Sequence, residues 1–106
     1  MRELNAAELR DYLATSTTKP LLLDVREPWE FRICQIEGSQ LIPMGQIPAA
    51  LKALDPGRET VVICHHGIRS RAVALYLESK GFTNVINLNG GLDAWARDTD
   101  RQMPSY

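Results

Sequence analysis

The length and charge of this chain exclude several classes of protein. With 106 residues, 44% of them apolar, it can bury one hydrophobic core but not two, so we expect a single domain over residues 1–106. The net charge of -1 is spread along the chain, and no basic cluster suits a nucleic-acid backbone. No apolar segment approaches the roughly 18 residues that a membrane helix needs. The N-terminus lacks a secretion-signal pattern, so we expect no membrane partner and a cytoplasmic location.

The first half of the chain alternates helix and strand signals. Asn5 and Glu8 have the spacing of a capping box, which predicts a helix that ends in the Ser/Thr-rich segment before Pro20. The apolar runs and turn residues that follow predict a strand at 21–25, a short helical or irregular crossover from 28, a strand at 40–42 and a helix at 47–54.

The second half continues the alternation and defines the fold class. It predicts a strand at 61–63, a helix at 70–80, a strand at 84–88 and a helix at 92–97, followed by a polar tail at 98–106 without periodicity. Strands that alternate with helices form right-handed crossovers, which make neighbouring strands parallel. The expected fold is therefore a three-layer α/β domain, a small, mostly parallel sheet with helices on both faces.

Polar and reactive side chains gather at one edge of this predicted sheet. Ligands of open α/β sheets bind at the carboxyl ends of the strands, and Asp24, Arg26 and Cys64 emerge there. The other cysteine, Cys34, comes before its strand, so we expect it near the opposite edge. A disulfide between the two cysteines is accordingly not expected, and both should be free thiols.

The loop after Cys64 has the features of an anion cradle around a nucleophilic sulfur. The start of the following helix supplies N–H donors without internal partners, and we expect a thiol placed there to ionise easily. Gly67 permits a tight loop, and Arg69 can make a two-pronged contact with an oxyanion. Four residues between Cys64 and Arg69 close a ring that suits a sulfur atom better than a phosphoryl group.

His65 and His66 raise the question of a metal site. Consecutive side chains do not easily wrap one tetrahedral ion, and no other cysteine or histidine is positioned to help. The sequence therefore predicts no metal and no cofactor, and the two histidines are expected to be solvated or to tune charge at the pocket mouth. Glu30 is expected at the surface or paired with Arg26 or Arg32.

Three segments together resemble the rhodanese domain in order and spacing. They are LLDVREPWEF at 22–31, VVICHHGIRS at 61–70, and the pair GFTNV at 81–85 and LNGGLDAW at 88–95. The resemblance spans nearly the whole chain and implies a stand-alone sulfurtransferase. Such an enzyme moves a sulfane sulfur from thiosulfate or another persulfide donor, through a cysteine persulfide, to cyanide, a thiol or a protein.

The resemblance also implies roles for individual residues. Cys64 would carry the sulfur, and Arg69 would contact the sulfonate of a small anionic donor. Asp24 and Arg26 match a buried charge pair whose expected role is structural. Main-chain N–H groups would hold the persulfide, those of His65, His66, Gly67, Ile68 and Ser70 among them.

Two other functions stay open at this point. A phosphatase or arsenate reductase would use the same thiolate, but it needs one more residue in the loop than this chain has. A non-enzymatic sulfur relay or interaction module would accept sulfur from one protein and dock on another, and the sequence does not separate it from an enzyme.

Overall fold

One parallel β-sheet forms the centre of the chain. In the computed structural model, which describes residues 1–106, the strands are β1 (Arg2–Leu4), β2 (Leu21–Asp24), β3 (Gln40–Leu41), β4 (Thr60–Ile63) and β5 (Val85–Leu88). They pair in the order β1-β5-β4-β2-β3, and every neighbouring pair is parallel. The predicted α/β class with a parallel sheet is confirmed.

Five helices cover the sheet: α1 (Ala6–Thr15), α2 (Pro28–Ile33), α3 (Ile47–Ala50), α4 (Ile68–Ser79) and α5 (Gly91–Asp98). The buried residues form two clusters, and neighbouring residues of β4 fall in different ones, since Val62 belongs to the first cluster and Val61 to the second. Side chains alternate between the faces of a strand, so the two clusters lie on opposite faces. α3 and α4 pack on one face and α1 and α5 on the other, which gives the predicted three layers.

The predicted capping box starts α1. The Asn5 side chain accepts from the Glu8 N–H at 2.8 Å, and the Asn5 N–H donates to the Glu8 carboxylate, also at 2.8 Å. These two bonds satisfy donors that a helix N-terminus otherwise leaves without partners.

The longest helix, α4, has 12 residues, and none of the helices combines the length and hydropathy needed to cross a bilayer.

Two elements differ from the sequence prediction. β1 was not predicted, and it forms the edge of the sheet by pairing with β5. The predicted helix at 47–54 is broken: α3 covers only its first turn, between 3₁₀ turns at Met44–Gln46 and Leu51–Ala53. At Ala50 the φ of -92° and ψ of -4° deviate from ideal α-helical values, and a 3₁₀ turn follows.

Candidate active site

The sulfur of Cys64 lies where β4 ends and the chain turns towards α4. The side chain is buried, and its Sγ accepts the main-chain N–H groups of Gly67 at 3.0 Å and Ser70 at 3.3 Å. These N–H groups belong to the loop and the first turn of α4, so the positive end of the helix dipole faces the sulfur. The geometry is that of a cradle for an electron-rich sulfur atom.

A buried polar chain continues from this sulfur into the sheet. The Cys64 thiol donates to Ser70 Oγ at 3.2 Å, and the Ser70 hydroxyl donates to Asn87 Oδ1 at 2.6 Å. Asn87, a fully buried residue of β5, donates its amide to the Gly67 carbonyl at 3.4 Å. The sequence prediction missed Asn87, although a single polar residue in an otherwise apolar buried strand is a usable signal.

Two glycines allow the loop to lie against the start of α5. Gly67 has a φ of +94°, which side-chain-bearing residues rarely adopt, and a Cβ at Gly91 would collide with the backbone of His65. The close approach is held by hydrogen bonds from the Leu92 N–H to the Cys64 carbonyl at 2.9 Å and from the Asp93 N–H to the His65 carbonyl at 3.0 Å. These hydrogen bonds from α5 therefore hold the cysteine loop in place.

The predicted charge pair of Asp24 and Arg26 is completely buried beside the loop. The two side chains are 0% exposed, and Arg26 Nη2 donates to Asp24 Oδ2 at 2.7 Å while its Nε donates to Oδ1 at 2.9 Å. Burial opposes the charged form of Arg26, but hydrogen bonds to Asp24 and Tyr106 outweigh it and raise the pKa of the guanidinium. Arg26 also donates to the main-chain carbonyls of Glu30 at 3.3 Å and Cys34 at 2.6 Å.

The guanidinium of Arg69 is held by Glu30. Arg69 Nη1 and Nη2 donate to the two carboxylate oxygens of Glu30 at 2.7 and 2.8 Å, and the Glu27 N–H donates to the same carboxylate at 2.9 Å. The Arg69 hydrogen bonds are the main cause that lowers the pKa of Glu30 to about 2, against a smaller opposing effect of burial. The expectation that Glu30 is a surface residue or pairs with Arg26 or Arg32 is wrong, because α2 turns Glu30 inward towards the loop.

Tyr106, which the sequence placed in a polar tail, contacts the site. Its hydroxyl accepts from Arg26 Nη1 at 2.9 Å and donates to Glu30 Oε2 at 2.8 Å, and its ring lies 4.2 Å from that of His65. Burial is the main cause that raises the pKa of this phenol to about 12. No periodicity or motif in residues 98–106 signals this contact, so it could not be found from the sequence.

The structure corrects the position of Cys34. Its carbonyl accepts from Arg26 Nη2 at 2.6 Å, its Sγ lies 3.7 Å from Arg26 Nη1, and it lines one small cavity together with His65. Cys34 thus lies at the same sheet edge as Cys64, because α2 ends there and residues 35–39 make the return crossing to β3. Both cysteines are free thiols, as predicted.

The side chains of the remaining loop residues differ in their exposure to solvent. The side chain of Ile68 is 78% exposed, and the main-chain N–H groups on the Cys64 sulfur are those of Gly67 and Ser70. The side chain of His66 is 60% exposed, whereas that of His65 is partly buried against Tyr106. Burial lowers the pKa of His65, with a smaller contribution from the neighbouring His66.

The fold and the loop together define a class of domain, a parallel α/β sheet that presents one cysteine to main-chain N–H donors at the start of a helix. Residues 5–98 match the model of the rhodanese-like domain family, and the chain belongs to this family. The match covers the charge pair, the cysteine loop and α5. The resemblance stated from the sequence is therefore confirmed.

Individual relatives agree with this assignment. A sulfurtransferase of Allochromatium vinosum is 35% identical over 97 residues, covering 92% of this chain and 90% of the relative. A thiosulfate sulfurtransferase of Pseudomonas fluorescens is 36% identical over 75 residues, covering 71% and 69%. The crystal structure of a rhodanese-like domain protein from Staphylococcus aureus has a TM-score of 0.83 at 33% identity, covering 90% and 91%. Several other curated relatives are longer, and the chain spans between 22% and 30% of their length.

Proposed function

We propose that this chain is a sulfurtransferase that carries a sulfane sulfur as a persulfide on Cys64. The observation that carries the proposal is the pair of main-chain N–H groups, from Gly67 and Ser70, on the Cys64 sulfur. Sulfurtransferases among the relatives of matching length support the same activity. We propose one domain over residues 1–106 as the working unit.

The proposed reaction has two steps, and in each step one bond to sulfur forms while another breaks. The Cys64 thiolate attacks the outer sulfur of thiosulfate, the S–S bond of the donor breaks, and its electron pair leaves with sulfite. A thiophilic acceptor such as cyanide, a thiol or a protein thiol then attacks the terminal sulfur of the persulfide and regenerates the thiolate. N–H donors already aimed at the sulfur require no reorganisation as charge moves between these states.

The partners follow from this chemistry. The donor would be a small sulfur-bearing anion or a persulfide, and the acceptor a thiol, cyanide or a protein. Neither step uses a cofactor, a nucleic acid or a membrane. We propose the cytoplasm as the location, where reducing conditions keep a catalytic thiol free, as both cysteines are in this structure.

Intact-mass measurement after incubation with thiosulfate tests the proposal. We expect the protein to gain the mass of one sulfur atom, and cyanide to remove it while thiocyanate forms. A parallel assay with an aryl phosphate should show no turnover, because the loop has one residue too few for a phosphoryl group. Phosphate release without any sulfur gain would overturn the proposal in favour of a phosphatase. Sulfur gain that only a protein acceptor removes would favour a relay.

Replacing Glu30 by glutamine should improve the use of thiosulfate. Both terminal nitrogens of Arg69 bind Glu30, so a dianionic donor must compete with this carboxylate for the guanidinium. We expect the KM for thiosulfate to fall about two- to fivefold, the effect of roughly 0.5–1 kcal/mol on a partly exposed ion pair. The measurement is steady-state kinetics with thiosulfate and with methanethiosulfonate, a monoanionic donor whose KM should change less.

A matched control is available at Glu59. This carboxylate also accepts from an arginine and a tyrosine, Arg2 at 2.7 Å and Tyr12 at 2.5 Å, but at the other edge of the sheet. Glu59→Gln should leave the KM for both donors unchanged. If Glu30→Gln instead weakens the use of both donors as much as Arg69→Ala does, Glu30 positions Arg69 and does not compete with the donor.

A further inference from the structure

A cluster of three potential metal ligands lies beside the cysteine loop. His65, His66 and Asp93 each offer one ligand atom, and these atoms all lie within 4.8 Å of one another. Ligand atoms around a tetrahedral zinc ion are about 3.4 Å apart, given bonds of about 2.0–2.1 Å. The side chains of His66 and Asp93 are 60% and 45% exposed, so both have room to rotate towards a shared ion.

A second observation concerns a ring nitrogen of His65, one of the three residues. Nδ1 of His65 is the one buried side-chain nitrogen or oxygen in the structure without a hydrogen-bond partner. Buried polar atoms nearly always have a partner, and an unpaired one calls for an explanation. A ring nitrogen with a free lone pair is the form in which histidine binds a transition metal.

A backbone hydrogen bond holds the three residues close to one another. The His65 carbonyl accepts the Asp93 N–H at 3.0 Å, so the loop and the first turn of α5 are tied together at the residues that carry the ligands. Gly91 permits this contact, since a Cβ there would collide with His65. The ligand set therefore combines two residues from the loop with one from a different, rigid element.

The other polar contacts of His66 and Asp93 are long, and none of them involves the Nδ1 of His65. The nearest His66 and Asp93 atoms, Nε2 and Oδ2, are 3.8 Å apart, which is too far for a hydrogen bond. Arg97 Nη1 also lies 3.8 Å from Asp93 Oδ2, on an exposed side chain that can move away. Neither contact explains the unpaired nitrogen of His65.

We propose that His65, His66 and Asp93 bind a divalent transition-metal ion of the zinc class at the edge of the cysteine pocket. Two imidazoles and one carboxylate suit zinc, cobalt, nickel or copper, and they do not suit magnesium or calcium, which prefer all-oxygen sites. Three protein ligands leave at least one coordination position open to solvent or to a small anion. The proposal does not depend on sulfur transfer, since none of its ligands is Cys64.

The sequence predicts no metal here because the third ligand is neither a cysteine nor a histidine. The two adjacent histidines stand out in the sequence, but no cysteine or further histidine is positioned to complete a site with them. Asp93 lies in another element, and only the contact between the loop and α5 brings it to the histidines.

Metal titration of thiol-free protein tests the proposal. In the Cys34→Ser/Cys64→Ser double variant, which removes both thiols that could compete for the metal, we expect Zn²⁺ to bind one site by calorimetry and Co²⁺ to develop a visible absorption band. Asp93→Asn in this background should weaken Zn²⁺ binding by about 10- to 100-fold, at least the loss seen when a residue supporting a metal ligand is replaced. His66→Gln should have the same effect and provides an independent variant.

Asp98→Asn is the matched control. Asp98 is also on α5 and also pairs with Arg97, but it is not among the three ligands, so Zn²⁺ affinity should not change. Circular dichroism confirms that each variant is folded. The proposal is overturned if the double cysteine variant does not bind Zn²⁺, or if Asp93→Asn and His66→Gln bind Zn²⁺ as tightly as their parent.

Discussion

Replacing Arg26 by methionine should lower the free energy of unfolding by about 3–5 kcal/mol, the usual cost of leaving one partner of a buried ion pair alone. Asp24 is fully buried, and it would lose three side-chain hydrogen bonds from the guanidinium at 2.7–3.1 Å. The Cys34 carbonyl would lose a donor at 2.6 Å and Tyr106 one at 2.9 Å. Because small domains are stable by only about 5–15 kcal/mol, denaturant unfolding should detect the loss directly.

Two further variants separate the charge pair from general packing. Asp24→Asn combined with Arg26→Met removes the orphaned carboxylate charge as well, so part of the lost stability should return. Arg10→Met, at an exposed arginine beside Asp11, should change stability by less than about 0.5 kcal/mol. If Arg26→Met is no more damaging than Arg10→Met, the buried pair does not support the fold as argued.

The elements that sequence predicts well are those whose signal is local. β2, β4 and β5 are short runs dominated by apolar residues and bounded by turn residues, and the start of α1 is set by two side chains three residues apart. β1 has no such signal, because Arg2–Leu4 contains two charged residues in a three-residue strand. It is a strand only because β5 offers a free edge, and that pairing joins residues far apart in sequence.

The same distinction applies to the site. Cys64, Gly67 and Ser70 are neighbours in sequence, so the cradle could be predicted from the loop alone. Glu30 reaches Arg69 across 39 positions and Tyr106 reaches Glu30 across 76, and no residue pattern encodes either contact. The placement of Cys34 was wrong because sequence order told us that it precedes β3, but not on which edge of the sheet the crossover turns back.

Cys64→Ser should abolish sulfur transfer, whereas Cys34→Ser should leave it. Serine differs from cysteine by one atom but has no sulfur to accept a sulfane atom, so we expect turnover to fall by about 10⁴-fold or more, as on removal of other covalent nucleophiles. The measurement is thiocyanate formation from thiosulfate and cyanide, with intact mass showing no added sulfur on Cys64→Ser. Circular dichroism checks that both variants fold.

Cys34→Ser tests whether a thiol beside Arg26 takes part in sulfur transfer. Cys34 Sγ lies 3.7 Å from the Arg26 guanidinium, so its thiol contacts the buried charge pair and not the N–H groups on the Cys64 sulfur. Serine keeps a group that can accept from Arg26, and turnover should stay within about twofold of wild type, as for substitutions that preserve a partner. A persulfide that forms on wild type but not on Cys34→Ser would contradict a single-cysteine mechanism and make Cys34 a participant in sulfur uptake.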